Sequence, residues 1–414
     1  MDDSLDILFL GSLFPKGKEG EILYNSTSGV QNASNVLQHG IVSGLDSNCP
    51  GQVRIVNSLL IGSFPKHYKK PCVKTYRFSQ TTNGNDINAG FLNIKGIKHF
   101  SRYWSLVPHI KKWALEKNGK KKALIAYSAS ATFTKLLLHA KRLNPEVITC
   151  LIVADLPQYM SSSRGRSIVF KLFVEVENKR IFEDIKHIDR FVLLTEQMRD
   201  AMQIKVPYAV VEGIAADAFD GMTDTLVNDG NKTILYTGSL TEKYGIMDLI
   251  RAFEKLPGEN YRLVICGEGE TKELVEQACE RDDRIIFKGL LKREDVLKLQ
   301  KSATVLINPR QNNENFTKYS FPSKTMEYMA SATPVIMYKL DGVPGEYDEY
   351  LYYVEDGSAD SLKNKISEVL SKPPEELRDF GMRAREWVMR EKNSEVQAKK
   401  IIDMIERKQS LKQC

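Results

Sequence analysis

Between Tyr319 and Glu327 the chain reads Tyr-Ser-Phe-Pro-Ser-Lys-Thr-Met-Glu, which gathers several kinds of polar group at one predicted helix start. Pro322 suits the first turn of a helix, where its missing N–H is no loss. Ser323 brings a hydroxyl, Lys324 a cation and Glu327, about one turn later, a hydrogen-bond acceptor. Such a set can hold a sugar and its diphosphate together. A second group is Gly238-Ser-Leu-Thr-Glu-Lys-Tyr-Gly245, followed by an apolar helical pattern from Ile246 to Leu256. Here Gly238 lets backbone approach an anion, Ser239 offers a hydroxyl, Lys243 a charge, and the helix start oriented N–H groups. An ordinary strand-to-helix turn with a solvated lysine reads the same way. Cys266-Gly-Glu-Gly-Glu270 adds Gly267 and Gly269. It has neither the third glycine nor the acidic residue about 20 positions on that marks a dinucleotide fingerprint, so a Rossmann dehydrogenase is not supported. Asp155, in Val-Ala-Asp-Leu-Pro157, faces a ligand on one reading and caps a turn before Pro157 on the other.

All of these residues follow short apolar runs. The runs Ile7 to Gly11, Val53 to Leu60, Ala123 to Tyr127, Val147 to Ala154 and Phe191 to Thr195 alternate with helical segments, including one from about Gly29 to Gly44. Buried strands separated by helices imply a parallel sheet covered on both faces. The pattern dissolves into a polar stretch over 205–231, read as a connection. It restarts at Thr233 to Gly238 and continues through Tyr261 to Cys266, Arg284 to Phe287, Ala303 to Ile307 and Pro334 to Met337. A chain of 414 residues is too long for one core at about 150 residues per domain. The expectation is an α/β protein of two tandem doubly wound, Rossmann-like domains facing a cleft, residues 1–210 and 211–385, with a terminal helix over 386–414. Ligands in such sheets sit at the carboxyl ends of the strands.

A composition of 42% hydrophobic, 27% charged and 9% aromatic residues excludes a disordered or collagenous chain. No apolar run approaches the roughly 20 residues that span a bilayer, and the start, Met1-Asp-Asp-Ser-Leu-Asp, is acidic where a secretory signal is basic. The six cysteines are scattered without a CxxC pair, which suggests reduced thiols in a cytoplasm and no zinc site. Charge is uneven: residues 1–210 hold 29 basic and 17 acidic side chains, a formal +12, whereas 211–414 hold 30 and 36, a formal −6. The first half therefore suits an anionic partner, a membrane surface or a phosphorylated substrate. Nucleic acid is disfavoured, because no helix-turn-helix, finger or RNA-recognition signature accompanies the charge.

The order of units, the Gly238 loop, the Gly267/Gly269 turn, Phe287-Lys-Gly-Leu-Leu and, above all, Phe-Pro-Ser-Lys…Glu-Tyr-Met-Ala…Thr-Pro-Val-Ile resemble the family 4 glycosyltransferases of the GT-B fold, in particular the bacterial surface-polysaccharide members. The resemblance covers essentially the whole chain and is specific mainly over 233–340. It implies transfer of a sugar, with retention and without a metal or other cofactor, from a nucleotide diphosphate-sugar to a lipid-linked saccharide. Glu327 would be the second of two family glutamates and bind the ribose hydroxyls, Lys243 would neutralise the diphosphate, and Ser239 replaces an arginine usual there. Gly289 and Leu290, in the Phe287 to Leu291 strand end, would hold the base; Pro322, Ser323 and Lys324 would line the donor sugar and phosphates. Asp155 stands where many members have a histidine near the reacting carbon, and Gly29, Arg164 and Arg166 would lie on the acceptor side. The first family glutamate is Tyr319 here, neutral at ordinary pH, with Glu314 a displaced substitute. That departure keeps a non-catalytic nucleotide- or glycan-binding partner of a transferase open, and the same fold also hosts non-hydrolysing nucleotide-sugar epimerases.

Two basic stretches bear on the acceptor. Lys98 to Lys122 interleaves Phe100, Tyr103, Trp104 and Trp113 with lysines and Arg102, and Ser161 to Arg180 mixes Arg164, Arg166 and Lys171 with Ile168, Phe170 and Phe173. Each could rest on the anionic inner face of a membrane, or be ordinary amphipathic packing with aromatics inside and lysines solvated.

Overall fold

The computed structural model describes residues 4–27, 30–159, 168–216, 218–219, 221–222, 230–312 and 316–407. They fall into two compact units: one takes the chain up to Ile214 together with the segment from Ser394, and the other runs from Ala215 to Asn393. The divisions lie somewhat later than the expected 210 and 385.

The first unit is built on an eight-stranded sheet in the order Tyr208–Val210, Arg190–Leu193, Ile148–Val153, Lys121–Tyr127, Leu5–Gly11, Val53–Asn57, Asp86–Asn88, Tyr76–Phe78. Leu5–Gly11 is buried along its whole length, as a central parallel strand covered on both faces must be. At its edge the parallel sheet gains one antiparallel pair, Tyr76–Phe78 with Asp86–Asn88. The short connection between them has no room for a crossover helix, so the chain turns straight back. Asp86 pins that turn by accepting hydrogen bonds from the Ile55, Gln80 and Thr81 backbone N–H groups. Tyr208–Val210 forms the opposite edge, so the polar stretch read as a connection begins with a strand.

The second unit carries six parallel strands in the order Ile285–Gly289, Tyr261–Glu268, Lys232–Ser239, Val305–Asn308, Val335–Tyr338, Tyr352–Val354. The helical pattern expected as one tail is two helices. Pro374–Glu391 stays in the second unit, whereas Ser394–Glu406 belongs to the first and packs Ala398, Ile401, Ile402 and Ile405 into its core. Residues 386–391 are therefore not part of the tail. Between the helices Lys392 is buried, with its ammonium on Glu346 and over the rings of Tyr347 and Trp387, which fixes the break. No described helix is long and apolar enough to cross a membrane.

Candidate functional site

In the second unit Gly238, Ser239 and Gly267 lie at the carboxyl ends of two adjacent parallel strands, Lys232–Ser239 and Tyr261–Glu268, and Lys324 reaches the first of them. Gly267 has φ +147°, and a Cβ on it would come within 1.7 Å of the Gly238 carbonyl oxygen, so only glycine lets these ends close on each other. A Cβ on Gly238 would lie 2.1 Å from the Lys324 ammonium. That ammonium donates to the Thr237 carbonyl. Lys324 as a whole is exposed, but its ammonium is tucked against the strand, and this burial pulls its pKa down to about 8 against the opposing pull of Glu327.

Glu327 is held at both carboxylate oxygens. Gln300 Nε2 donates to Oε1 at 2.8 Å, and Arg293 Nη2 lies 3.0 Å from Oε2. Gln300 is wholly buried, on the helix Arg293–Ser302, and its amide also reaches Thr237 Oγ1 at 3.4 Å. The next residue along, Tyr328, accepts from Thr237 N–H through its buried hydroxyl at 3.1 Å. The helix Lys324–Ala330 is thus clamped to the strand end at one residue, Thr237, and Glu327 remains partly exposed beside it. A carboxylate fixed this way can accept two hydroxyl donors in charge-assisted bonds.

Lys243 sits in the turn Glu242–Tyr244 and is exposed, its ammonium 5.1 Å from the Tyr244 ring centroid and 5.7 Å from that of Phe316. Ser239 pairs its hydroxyl with Thr241 at 2.9 Å. Gly289 ends its strand at φ +64° with open space about it, and Leu290 beyond is 76% exposed. Pro322 is buried and its carbonyl accepts from Thr325 N–H at 2.8 Å, while Ser323 is exposed. Tyr319 closes the turn Thr317–Tyr319, with the Lys318 ammonium 5.1 Å over its ring. Glu314 lies outside the described residues.

Three participants were not singled out in the sequence: Gln300 and Arg293, which orient Glu327, and Arg310, a buried arginine over the Phe316 and Tyr244 rings. Arg310 had a readable signal, since it follows Pro309 directly after an apolar run. Gln300 had none, because its helix faces inward at a position that only the fold reveals.

In the first unit Asp155 follows the strand Ile148–Val153. Desolvation of its carboxyl raises its pKa, and its charge is felt by the buried hydroxyl of Tyr127. Gly29, Arg164 and Arg166 lie outside the described residues. The helix Lys98–Leu115 departs from ordinary amphipathic packing. Lys98 and Arg102 point inward, donating to the carbonyls of Ile61 and Ser58, while Phe100 and Trp104 are 67% and 56% exposed. Trp113 is buried, as that packing expects. Among the described residues no group of three His, Cys, Asp or Glu side chains could hold a metal ion.

Residues 221–387, the part that holds this strand-end cluster, match the family described as glycosyl transferases group 1. A stretch of 121 residues is 34% identical to an uncharacterised glycosyltransferase of Methanocaldococcus jannaschii; it makes up 28% of this chain and spans only 30% of that protein's length. Solved structures match nearly end to end at low identity. Sucrose-phosphate synthase from Thermosynechococcus elongatus aligns with a TM-score of 0.62 at 17% identity, over 96% of this chain and 98% of that one. Anabaena HepE in complex with UDP gives 0.60 at 13%, over 97% and 99%. The E. coli trehalose-6-phosphate structure bound with UDP-2-fluoro glucose gives 0.64 at 9%, over 97% and 99%. The chain thus has two Rossmann-like α/β units of GT-B architecture, and the second contains a segment similar to the group 1 glycosyl transferases.

Proposed function

We propose that the protein is a glycosyltransferase that moves a sugar, with retention, from a nucleotide diphosphate-sugar to a lipid-linked saccharide during assembly of a cell-surface polysaccharide. The observation that carries this reading is Glu327, a carboxylate fixed at both oxygens yet partly exposed, one helical turn from Lys324 and in the same unit as Lys243. Glu327 accepts the two ribose hydroxyls, displacing the exposed Arg293 while Gln300 keeps hold of it. Lys243 and Lys324 face the diphosphate. The bond from the anomeric carbon to the diphosphate oxygen breaks, the acceptor oxygen bonds to that carbon, and the departing phosphate oxygen takes the acceptor proton. Preorganised cations lower the barrier by stabilising the charge that grows on the leaving group. Two of the related structures carry UDP or a UDP-sugar, which supports a donor of this class.

The acceptor end of the reading is supported by the first unit. Ile97, Phe100 and Trp104 form an exposed apolar stripe at helical spacing, with exposed Lys111 and Lys112 further along. Such a face suits the anionic inner surface of a membrane, where a lipid-linked saccharide is met. Sedimentation with acidic vesicles at low salt, for the protein and for a Phe100→Ser/Trp104→Ser variant, tests this part alone.

The test of the whole is release of nucleoside diphosphate from a panel of sugar nucleotides, with a lipid-linked saccharide supplied in vesicles. The expected result is acceptor-dependent turnover that Glu327→Ala lowers about 100-fold, the loss of two charge-assisted bonds. Full turnover in that variant would overturn the site assignment. Epimerised donor formed without acceptor would point instead to an epimerase.

A further inference from the structure

We propose that Arg310 forms a fixed anion subsite beside Lys243 that takes the diphosphate of the donor; the proposal rests on the donor reading above. Arg310 lies two residues past the strand Val305–Asn308, which pairs directly with Lys232–Ser239. Its side of the sheet is therefore the side that carries Gly238, Ser239 and Lys243. It is 8% exposed, and the described contacts of its guanidinium are one hydrogen bond, from Nη2 to Ser320 Oγ at 2.7 Å, and two aromatic faces, Phe316 at 4.8 Å and Tyr244 at 5.8 Å. Its Nε is buried with no hydrogen-bond partner, and no described carboxylate pairs with it.

A guanidinium presents five donors in a planar fork, and among the described residues a single hydroxyl and two rings answer them. Burying a cation without a counter-charge is costly, and a buried donor left open adds to that cost. Burial also pulls the Arg310 pKa down, with the charge of the Tyr244 phenol group opposing. A guanidinium held with donor capacity to spare is suited to an anion that arrives with the substrate.

Lys243 shares the same two rings, so one buried cation and one exposed cation attend a common aromatic pair. The turn that carries Lys243 is drawn onto the Arg310 loop at Gly245, whose φ is +78° and whose Cβ, if present, would lie 2.0 Å from the Pro309 carbonyl oxygen. Two cations at one place match two adjacent phosphates better than one. Lys243 can follow the phosphate as it moves, and Arg310, packed between rings, cannot. Arg310 is thus a binding residue for the leaving group rather than a support for the fold.

The test is calorimetric titration of the full chain and of Arg310→Met, Arg310→Lys and Glu327→Ala with UDP, GDP, ADP and dTDP, and with the matching monophosphates. The quantity read is the ratio of diphosphate to monophosphate affinity for whichever nucleoside binds. Arg310→Met is expected to lower that ratio tenfold to a hundredfold, as loss of a charge-assisted fork implies, while Arg310→Lys keeps the charge, loses the fork and lowers it a few-fold. Glu327→Ala is expected to weaken both ligands alike and leave the ratio unchanged. If Arg310→Met does not fold, Arg310→Lys decides by the same ratio. An unchanged ratio in the Arg310 variants, alongside weakened binding in Glu327→Ala, would overturn this subsite and leave the donor reading standing. Wild-type protein that binds none of the four diphosphates would overturn both.

Discussion

Two charged clusters, one at each kind of strand end, are built on opposite principles. At the amino end of the first sheet Asp6 is buried and accepts from Arg54 at 2.9 Å, Lys122 at 2.7 Å, Trp113 Nε1 at 3.0 Å and Asn118 at 2.7 Å. The carboxylate is enclosed by donors, and the cations around it are answered. At the carboxyl ends of the second sheet Lys324 donates to a backbone carbonyl and Arg310 to a hydroxyl, and among the described residues neither forms an ion pair with a carboxylate. A closed charge network holds a fold together, whereas cations left on neutral acceptors await an anion. The difference sets a closed cluster apart from the one proposed to bind the donor.

Breaking the first cluster has the largest expected effect on stability. Asp6→Asn removes the charge that answers buried Lys122 and half-buried Arg54, at a cost of about 3–5 kcal/mol, read from urea unfolding; nucleotide affinity of the folded variant stays as it was. The same carboxyl gives a pH signature. Desolvation is the largest influence on Asp6 and raises its pKa, but hydrogen bonds from Lys122, Trp113 and Arg54 outweigh it and leave the folded value lowered. Its stabilisation is therefore complete above the ordinary carboxylate pKa and disappears as pH falls through the lowered folded value. Acid unfolding that begins at the same pH in wild type and Asp6→Asn would contradict this.

A smaller loss of stability is expected where the second cluster is clamped to its sheet. Tyr328→Phe strands the buried Thr237 N–H and costs about 1–3 kcal/mol, again by urea unfolding, with donor affinity weakened because Glu327 is carried by the same helix. The smallest effect is a matter of protonation. Lys324 has its pKa pulled down to about 8 by burial, and a bound diphosphate favours the ammonium, so diphosphate affinity should decline as pH rises through about 8. Lys324→Arg, which stays charged, should flatten that decline. A wild-type profile level between pH 7 and pH 9.5 would show that Lys324 does not meet the phosphates.

The alternating pattern of apolar runs and helices made the two α/β units legible in the sequence, because a strand buried on both faces must be apolar throughout. The antiparallel edge at Tyr76–Phe78 was not legible, since its short, polar strands carry no such run. Nor was the break at Lys392: the charged pattern on either side is continuous, and only the fold shows that this lysine is buried against Tyr347 and Trp387. Within the site, Lys324 and Glu327 were legible as a pair because helical spacing brings them to one face. The contacts that hold them, from Gln300 and to Thr237, are long-range and leave no trace in local spacing. The helix Lys98–Leu115 shows the reverse failure. Its interleaved lysines and aromatics suggest solvated cations over a buried apolar face, yet Lys98 and Arg102 turn inward to loop carbonyls and leave Phe100 and Trp104 outside.

The most direct test is a crystal structure of the protein grown with a nucleoside diphosphate that it binds. The ribose hydroxyls are expected on the Glu327 carboxylate, with Gln300 still in place and Arg293 released, and the diphosphate between Lys243 and Arg310. A nucleotide bound with its ribose away from Glu327 and its phosphates away from Lys243 would contradict the account.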